Sequence, residues 1–583
     1  MFLRRVRVRK NGKTHRYWAL VKSVRTARGP RQELVSYLGE LSATEQRAYA
    51  RVRRMVARAE PVQGELFDAN PSPEWVKVDV RRVRVGRVRQ FGGVWLGLKL
   101  WKTLELDKLL EACLPERREE IRWGLVGCIL ALARLDHPGS ELDIEARWYE
   151  QTALADLLGV PPEKVNTDRL YRGIDTLWAE KGALERHLKA RWTSLFDTAY
   201  DILLYDVTSS YLEGLAEANA LAARGYSRDH RGDCKQVCVG LVVTRDGLPV
   251  GLEIFAGNTH DTKTLHQIVE MMEGKYGLAG RIWVMDRGIV SEENLAWLRE
   301  RRGRYLVGTP RTMLKRYEAA LREEGWTQVY EDLEVKTVAG PSGAETFLLC
   351  RSQSRREKEK AMHTRFVARL KEGLEKIQTA VAKGRLSDPV KLGQRIGALL
   401  KVNSRAAKAF EVTVSTRPDG PRRVRWTKRA DWEDWATISE GAYLLRTNLA
   451  DWPPDELWKT YMQLAQVEKA FHVAKHDLAI RPIFHQTADR TRGHILVCFL
   501  AYALWKTLEK LCEASGLGSS ARTVYEEIQR LVTVDVTMPS ADGRELRLRC
   551  VAEPDPRLKE LLYRLGLTVP KRLAIPRSLP VPV

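Results

Sequence analysis

Hydrophobic and polar positions change period several times along the chain. Residues 1 to about 40 alternate basic with apolar (Phe2, Val6, Val8), break at Lys10-Asn-Gly-Lys13 and resume at Tyr17 to Lys22. Asn-Gly between two alternating runs predicts a β-hairpin. Val76 to Arg89 alternates again, and Pro61, Pro71 and Pro73 mark a linker over 60–75. From about 97 to 198 the spacing becomes helical, over Leu104 to Leu114, Ile121 to Leu135 and Leu170 to Leu195, with breaks at Pro115, Pro138-Gly139 and Pro161-Pro162. Strand patterns then follow at 202–211, Lys235 to Thr244 and Pro249 to Phe255. Helix Thr262 to Tyr276, strand Arg281 to Asp286, helix Glu292 to Arg301 and strand Arg304 to Gly308 come next.

Three strands joined by hairpin-like turns and then helix-strand-helix-strand is the order of an RNase H-like fold, with its first and fourth strands central neighbours. After Pro310 the chain leaves that order for roughly 130 residues of strand-like pieces (Leu333 to Val338, Glu345 to Cys350, Ala409 to Val414) and charged helix (Arg355 to Lys383, Pro389 to Leu400). The last helix of the fold is expected from Asp455 to about Ile480, started by Pro453-Pro454-Asp455-Glu456 and stopped by Pro482. On one continuous helix Tyr461, Leu464, Glu468 and Lys475 would share a face. The fold class is therefore mixed α/β and multidomain: an RNase H-like core with a large α+β insertion, preceded by a basic β-hairpin and a helical DNA-binding region. The expected divisions are 1–96, 97–198, 199–310, 311–450 (insertion), 451–510 (core again) and 511–583, the last for dimerisation or DNA contact.

Charge narrows the partner. With 97 Lys plus Arg against 75 Asp plus Glu, the net charge is +22 over 583 residues. That excess favours a polyanion, nucleic acid first. The basic strands suit a DNA backbone or, equally, an edge protected by charge. The longest uncharged apolar run, Ile495 to Trp505, is too short for a membrane span and predicts a buried helix. No apolar stretch follows the N-terminal charges as in a signal peptide. The eight cysteines form no zinc or disulfide pattern, which fits a reducing cytoplasm.

One acid, Asp206, interrupts the apolar strand Leu203 to Tyr211. Alone it reads as a satisfied strand-end residue. A second strand ends in Asp286, and the late helix carries Glu468, so the three together read as a metal site. An all-oxygen set suits Mg²⁺ or Mn²⁺ rather than zinc. Two such ions about 4 Å apart serve phosphodiester displacement. His260, His472, His476, His485 and His494 make no ligand motif, and Ser209 or Ser210 has neither elbow glycines nor an evident base.

Four motifs in order carry a resemblance: Leu-Tyr-Asp206-Val-Thr-Ser, Gly257-Asn-Thr-His-Asp-Thr-Lys-Thr264, Val-Met-Asp286-Arg-Gly-Ile, and Tyr461 to Lys475 running on into Arg481-Pro-Ile-Phe-His485 and Gly493-His-Ile-Leu. They resemble the DDE transposases of bacterial insertion sequences, of the insertion-sequence-four superfamily type with an insertion before the catalytic glutamate. The resemblance covers about 200 to 510, and more loosely the N-terminal third. It implies Asp206, Asp286 and Glu468 as catalytic metal ligands, with Tyr461 and Lys475 on phosphates of the transposon end. The arginine of the signature falls on Leu464, so that contact is either absent or supplied elsewhere, by Lys469 or Arg481. Arg287 is a phosphate contact or a strand-end salt bridge. In relatives the insertion helps hold a flipped base, which gives Trp426, Trp432 and Trp435 a stacking role beside their ordinary one in packing. The implied activity is binding of terminal inverted repeats, metal-dependent cleavage and joining of 3′-hydroxyl ends to target DNA by a homodimer on double-stranded DNA. The alternatives are a DNA-binding relic or regulator and an RNase H-like nuclease without strand transfer.

Overall fold

The computed structural model describes the backbone at 2–10, 13–26 and 29–39, and the full residues at 76–114, 119–277, 280–341, 343–415 and 423–574. The chain forms two compact units, Met1–Ala279 with Ala465–Val583, and Gly280–Leu464.

The hairpin signal at the N-terminus is real and extends to three strands. β1 (Phe2–Lys10) pairs antiparallel with β2 (Lys13–Thr26), from Phe2 opposite Val21 to Lys10 opposite Lys13, and β2 pairs with β3 (Gly29–Gly39). The turn residues 11–12 and the linker read at 60–75 lie outside the described residues. The second alternating stretch forms a strand only in its later half, β4 (Arg84–Gln90), after a single 3-10 turn at Val80–Arg82.

Helices α1 (Gly92–Thr103), α2 (Leu106–Cys113), α3 (Trp123–Asp136), α4 (Thr167–Ala179) and α5 (Lys181–Phe196) follow. The apolar run of Leu170 to Leu195 is thus two helices, divided at Glu180. β5 (Ile202–Tyr211), β6 (Gln236–Thr244) and β7 (Pro249–Ala256) form an antiparallel meander with Asp206 opposite Leu241 and Leu241 opposite Leu252. Every residue of β6 is buried, as expected for an inner strand covered on both faces. α6 (Leu265–Tyr276) completes this stretch.

The second unit holds a mixed sheet. β8 (Ile282–Met285) runs parallel to β9 (Arg304–Gly308) across α7 (Glu292–Glu300). β10 (Thr327–Tyr330), β11 (Leu333–Ala339) and β12 (Thr346–Ser352) are a meander, and a strand not foreseen from the sequence, β15 (Ala442–Thr447), joins β12 to β9. The part of the insertion between them is α8 (Gln353–Ala382), α9 (Pro389–Val402), the pair β13 (Phe410–Ser415) and β14 (Arg423–Lys428), and α10 (Ala430–Ser439).

The late helix differs from expectation. It is two helices, α11 (Pro454–Met462) and α12 (Ala465–His476), separated by Gln463 and Leu464, whose amides bond three residues back to the carbonyls of Thr460 and Tyr461. Tyr461 and Leu464 therefore do not lie on one helix face with Glu468 and Lys475. No breaker residue marks the division, so the periodicity could not show it.

α13 (Ala488–Ala514) is buried without a break from Gly493 to Glu509 and is the centre of the first unit, packing on α1, α3, α4 and β7. A helix enclosed on all sides is a core helix. Gly493 lets it cross α4 closely, since a Cβ there would stand 2.6 Å from the Ile174 carbonyl oxygen. α14 (Ala521–Gln529) leads to the hairpin β16 (Val532–Pro539) and β17 (Glu545–Val551), followed by α15 (Pro556–Arg564) and β18 (Arg572–Leu573). β16 pairs with β4, so the C-terminal region builds one sheet with residues 84–90. Arg549 and Arg89 meet the enclosed Asp156 beneath that sheet.

Candidate active site

In the first unit, the alternation of β5 turns Leu204, Asp206 and Thr208 to one face. Asp206 is half-buried among buried neighbours. The positive group near it is Arg228, from the long β5–β6 connection. Burial works against the charge of Arg228, but the hydrogen bond and charge of Asp261 and the charge of Asp206 outweigh it and raise its pKa. Tyr205, pointing to the other side, is enclosed and donates to Thr264 Oγ1 at 2.7 Å.

Glu468 occupies the first turn of α12, where the helix dipole favours a carboxylate. Val467, Ala470, Phe471 and Val473 bury the other side of this helix, which packs on β5 and β6, while Glu468, Lys469 and His472 are exposed. Lys469 pairs with the buried Glu509 at 2.9 Å, and Lys506 meets the same carboxylate at 3.0 Å. Lys475 and Arg481 both pair with Asp229 rather than facing solvent.

In the second unit, Asp286 follows the last residue of β8 and is exposed with Arg287. Gly308 at the end of β9 keeps this spot open. A Cβ there would stand 2.6 Å from Tyr461 Oη and 3.5 Å from Asp286 Oδ1, so Tyr461, Asp286 and the end of β9 converge only because residue 308 has no side chain. Asp286, Arg287 and Tyr461 line a cavity of about 610 Å³. A larger one, about 1200 Å³, is lined by Arg287, Arg311, Arg355, Lys358, Arg405 and Lys408 with Trp432 and Trp435 among the walls. Trp432 packs its ring 4.5 Å from that of His363. Trp426, on β14, packs against two clusters of apolar core residues.

Among the described residues the group with ligand-like proximity is not the three acids but Glu141, His485 and His494, all buried, with ligating atoms within 4.8 Å of one another. Sequence spacing alone did not bring Glu141 to these histidines. Both ring nitrogens of His494 are engaged, Nδ1 facing Arg134 at 3.5 Å and Nε2 the Ile480 carbonyl at 3.2 Å. A guanidinium so close disfavours a further cation, and we read the group as a hydrogen-bonded core node. Burial acts to raise the Glu141 carboxyl, but the hydrogen bond and charge of His485 hold it down at about 2.

The described residues thus carry carboxylates on a strand, after a strand and in the first turn of a helix, and a cavity lined by more cations than acids. Family comparison gives the class: the Transposase DDE domain matches residues 197–504, more than half of the chain, and the chain belongs to that family. The IS1634 family transposase N-terminal domain matches residues 3–71, so this is a DDE transposase of an insertion sequence. No curated protein sequence matches the chain. Membership implies DNA as substrate and a divalent metal, and three carboxylates without thiolate or imidazole are donors that fit a hard cation.

Proposed function

We propose that the protein binds the terminal inverted repeats of its element, cleaves there by hydrolysis and joins the freed 3′-hydroxyls to target DNA. The observation that carries this is the family match, which spans Asp206, Asp286 and Glu468 in one alignment. We assign these three as metal ligands, most simply of two Mg²⁺ or Mn²⁺ ions. Ions so bound activate the attacking water or hydroxyl and stabilise the leaving oxygen. The three strands of the first unit's meander, β8, β9 and α12 are read as an RNase H-like core.

The remaining residues bind and orient. Tyr461 and Arg287, beside Asp286, are assigned to phosphates of the cleaved strand. The basic 1200 Å³ cavity offers cations for backbone and Trp432 for a base, while Trp426 is assigned to packing. Lys469 answers Glu509, and Lys475 and Arg481 answer Asp229, so phosphate contact by these three requires those pairs to open. The basic β1–β3 sheet and the helices of 97–198 are assigned to end recognition, with two protomers pairing the ends.

Pre-cleaved end DNA with a free 3′-hydroxyl, incubated with a supercoiled target plasmid and Mn²⁺, tests this reading. Joined products carrying the end at new positions are expected. Nicked plasmid without joining would mark a nuclease, and binding without either product a relic.

A further inference from the structure

The connection between β5 and β6 carries a carboxylate that no motif singles out. The side chain of Asp229 is 3% exposed, and its Oδ1 accepts from Lys475 Nζ at 2.9 Å and from the Arg481 guanidinium. Its Oδ2 is buried with no hydrogen-bond partner among the described residues. Lys475 stands in the last turn of α12 and Arg481 just past its end; the two are only 11% and 20% exposed. Burial lowers the pKa of Lys475, Asp229 opposes this, and the nearby Arg481 and Arg228 add to it. Three charges thus meet in a nearly dry place, where a cation without its counter-ion is costly.

The same connection is fastened to β5. The Arg228 amide donates to Ser209 Oγ at 3.1 Å, and its guanidinium pairs with Asp261. The segment leaving α12 also runs along the end of β5: Ile483 N donates to Tyr211 O at 3.0 Å, and Glu213 N to Ile483 O at 2.9 Å. The far end of the Glu468 helix is therefore tied to the Asp206 strand twice, by backbone bonds through Ile483 and by ion pairs through Asp229.

We propose that Asp229 is a positioning residue: through Lys475 and Arg481 it fixes the helix bearing Glu468 against the strand bearing Asp206, and so sets the spacing of those two carboxylates for the metal. This rests on the metal-ligand reading of Asp206 and Glu468. Without the Asp229 charge, two enclosed cations repel each other at the helix end, and the helix shifts on its bed. Lys475 acts here as a tether inside the protein, so duplex affinity does not depend on Asp229.

The test is Mn²⁺ binding to the full chain on a short duplex, followed by the electron paramagnetic resonance signal of the free ion. Wild type, Glu468→Gln, Asp229→Asn, Asp229→Glu, Lys475→Gln and the Asp229→Asn/Lys475→Gln pair are compared. Glu468-dependent binding is expected to weaken about tenfold in Asp229→Asn, the scale for a residue that orients ligands. Asp229→Glu restores part of it, the double variant binds Mn²⁺ no more weakly than the worse single one, and the duplex affinity of the two Asp229 single variants is unchanged. A folded Asp229→Asn protein that binds Mn²⁺ as wild type does overturns the inference, as does loss of duplex affinity with Mn²⁺ binding intact. Should that variant not fold, Lys475→Gln and Arg481→Gln decide by Mn²⁺ binding alone: binding like wild type in both overturns the inference. A wild type without a Glu468-dependent Mn²⁺ site would instead sink the metal reading, and this inference with it.

Discussion

Leu464 is the position to which the motif resemblance assigns the signature arginine, and its surroundings bear on that reading. It is 8% exposed, at the break between α11 and α12. Leu464→Arg should therefore remove about 2 kcal/mol of burial and add an enclosed charge. Its urea midpoint is expected to fall with no gain in cleavage; unchanged stability with faster cleavage would show the position to be a vacant phosphate contact. Gly308 is the opposite case, valued for what it lacks. Gly308→Ala forces Tyr461 away from Asp286, and single-turnover cleavage is expected to drop about a hundredfold, the loss that misplacement by about an ångström can produce. Adding Tyr461→Phe, which removes the clashing hydroxyl, should then recover little if Tyr461 binds phosphate and most of the rate if it only packs.

His494 gives the protein a pH dependence of known sign. Burial depresses its pKa well below 6.5, and Arg134 and His485 push in the same direction. The unfolded chain takes up a proton below 6.5 that the folded one refuses, so stability declines as pH falls from that value, by up to about 1.4 kcal/mol per unit. Urea midpoints at pH 7.5, 6.5 and 5.5 measure this. His494→Gln should flatten the slope, and an equal slope in the variant would place its origin elsewhere.

At the scale of elements, the strands around the acids were legible because each carries its own signal. β5 and β9 match their predicted spans, and β6, β7 and β8 fall within a residue or so, since short apolar runs ended by turn residues leave few options. The α11–α12 division was not legible, because Gln463-Leu464-Ala465 would suit an uninterrupted helix. Nor was β15, whose pairing partners β12 and β9 lie about a hundred residues or more upstream, so no local pattern announces it. Among candidate residues, the acids were chosen by residue type on predicted elements, and Asp206 lies on a strand, Asp286 just after one and Glu468 in the first turn of a helix. Asp229 was invisible, since its importance comes from two cations about 250 positions later.

The C-terminal hairpin is tied down in the same nonlocal way. Arg549 pairs with Asp535 at 2.7 Å and with Asp156, both nearly enclosed. Arg549→Met leaves these carboxylates buried together, a loss of about 3–5 kcal/mol for a broken buried pair. Chemical denaturation should show it; a loss below about 1 kcal/mol would mean water reaches the site, as in a surface pair.

For the whole molecule, a net charge of +22 must appear in DNA binding. If six or more phosphates are neutralised, log K against log salt should have a slope steeper than about −5. A shallow slope would confine the excess charge to parts that do not touch DNA. The most direct measurement is cleavage of the element's own end in Mg²⁺ and Mn²⁺ by wild type, Asp206→Asn, Asp286→Asn and Glu468→Gln, each also assayed for binding. We expect wild type to cut at the repeat boundary, and each variant to bind comparably yet lose cleavage by about a thousandfold or more. Cleavage that survives in any one of the three would contradict the three-carboxylate account.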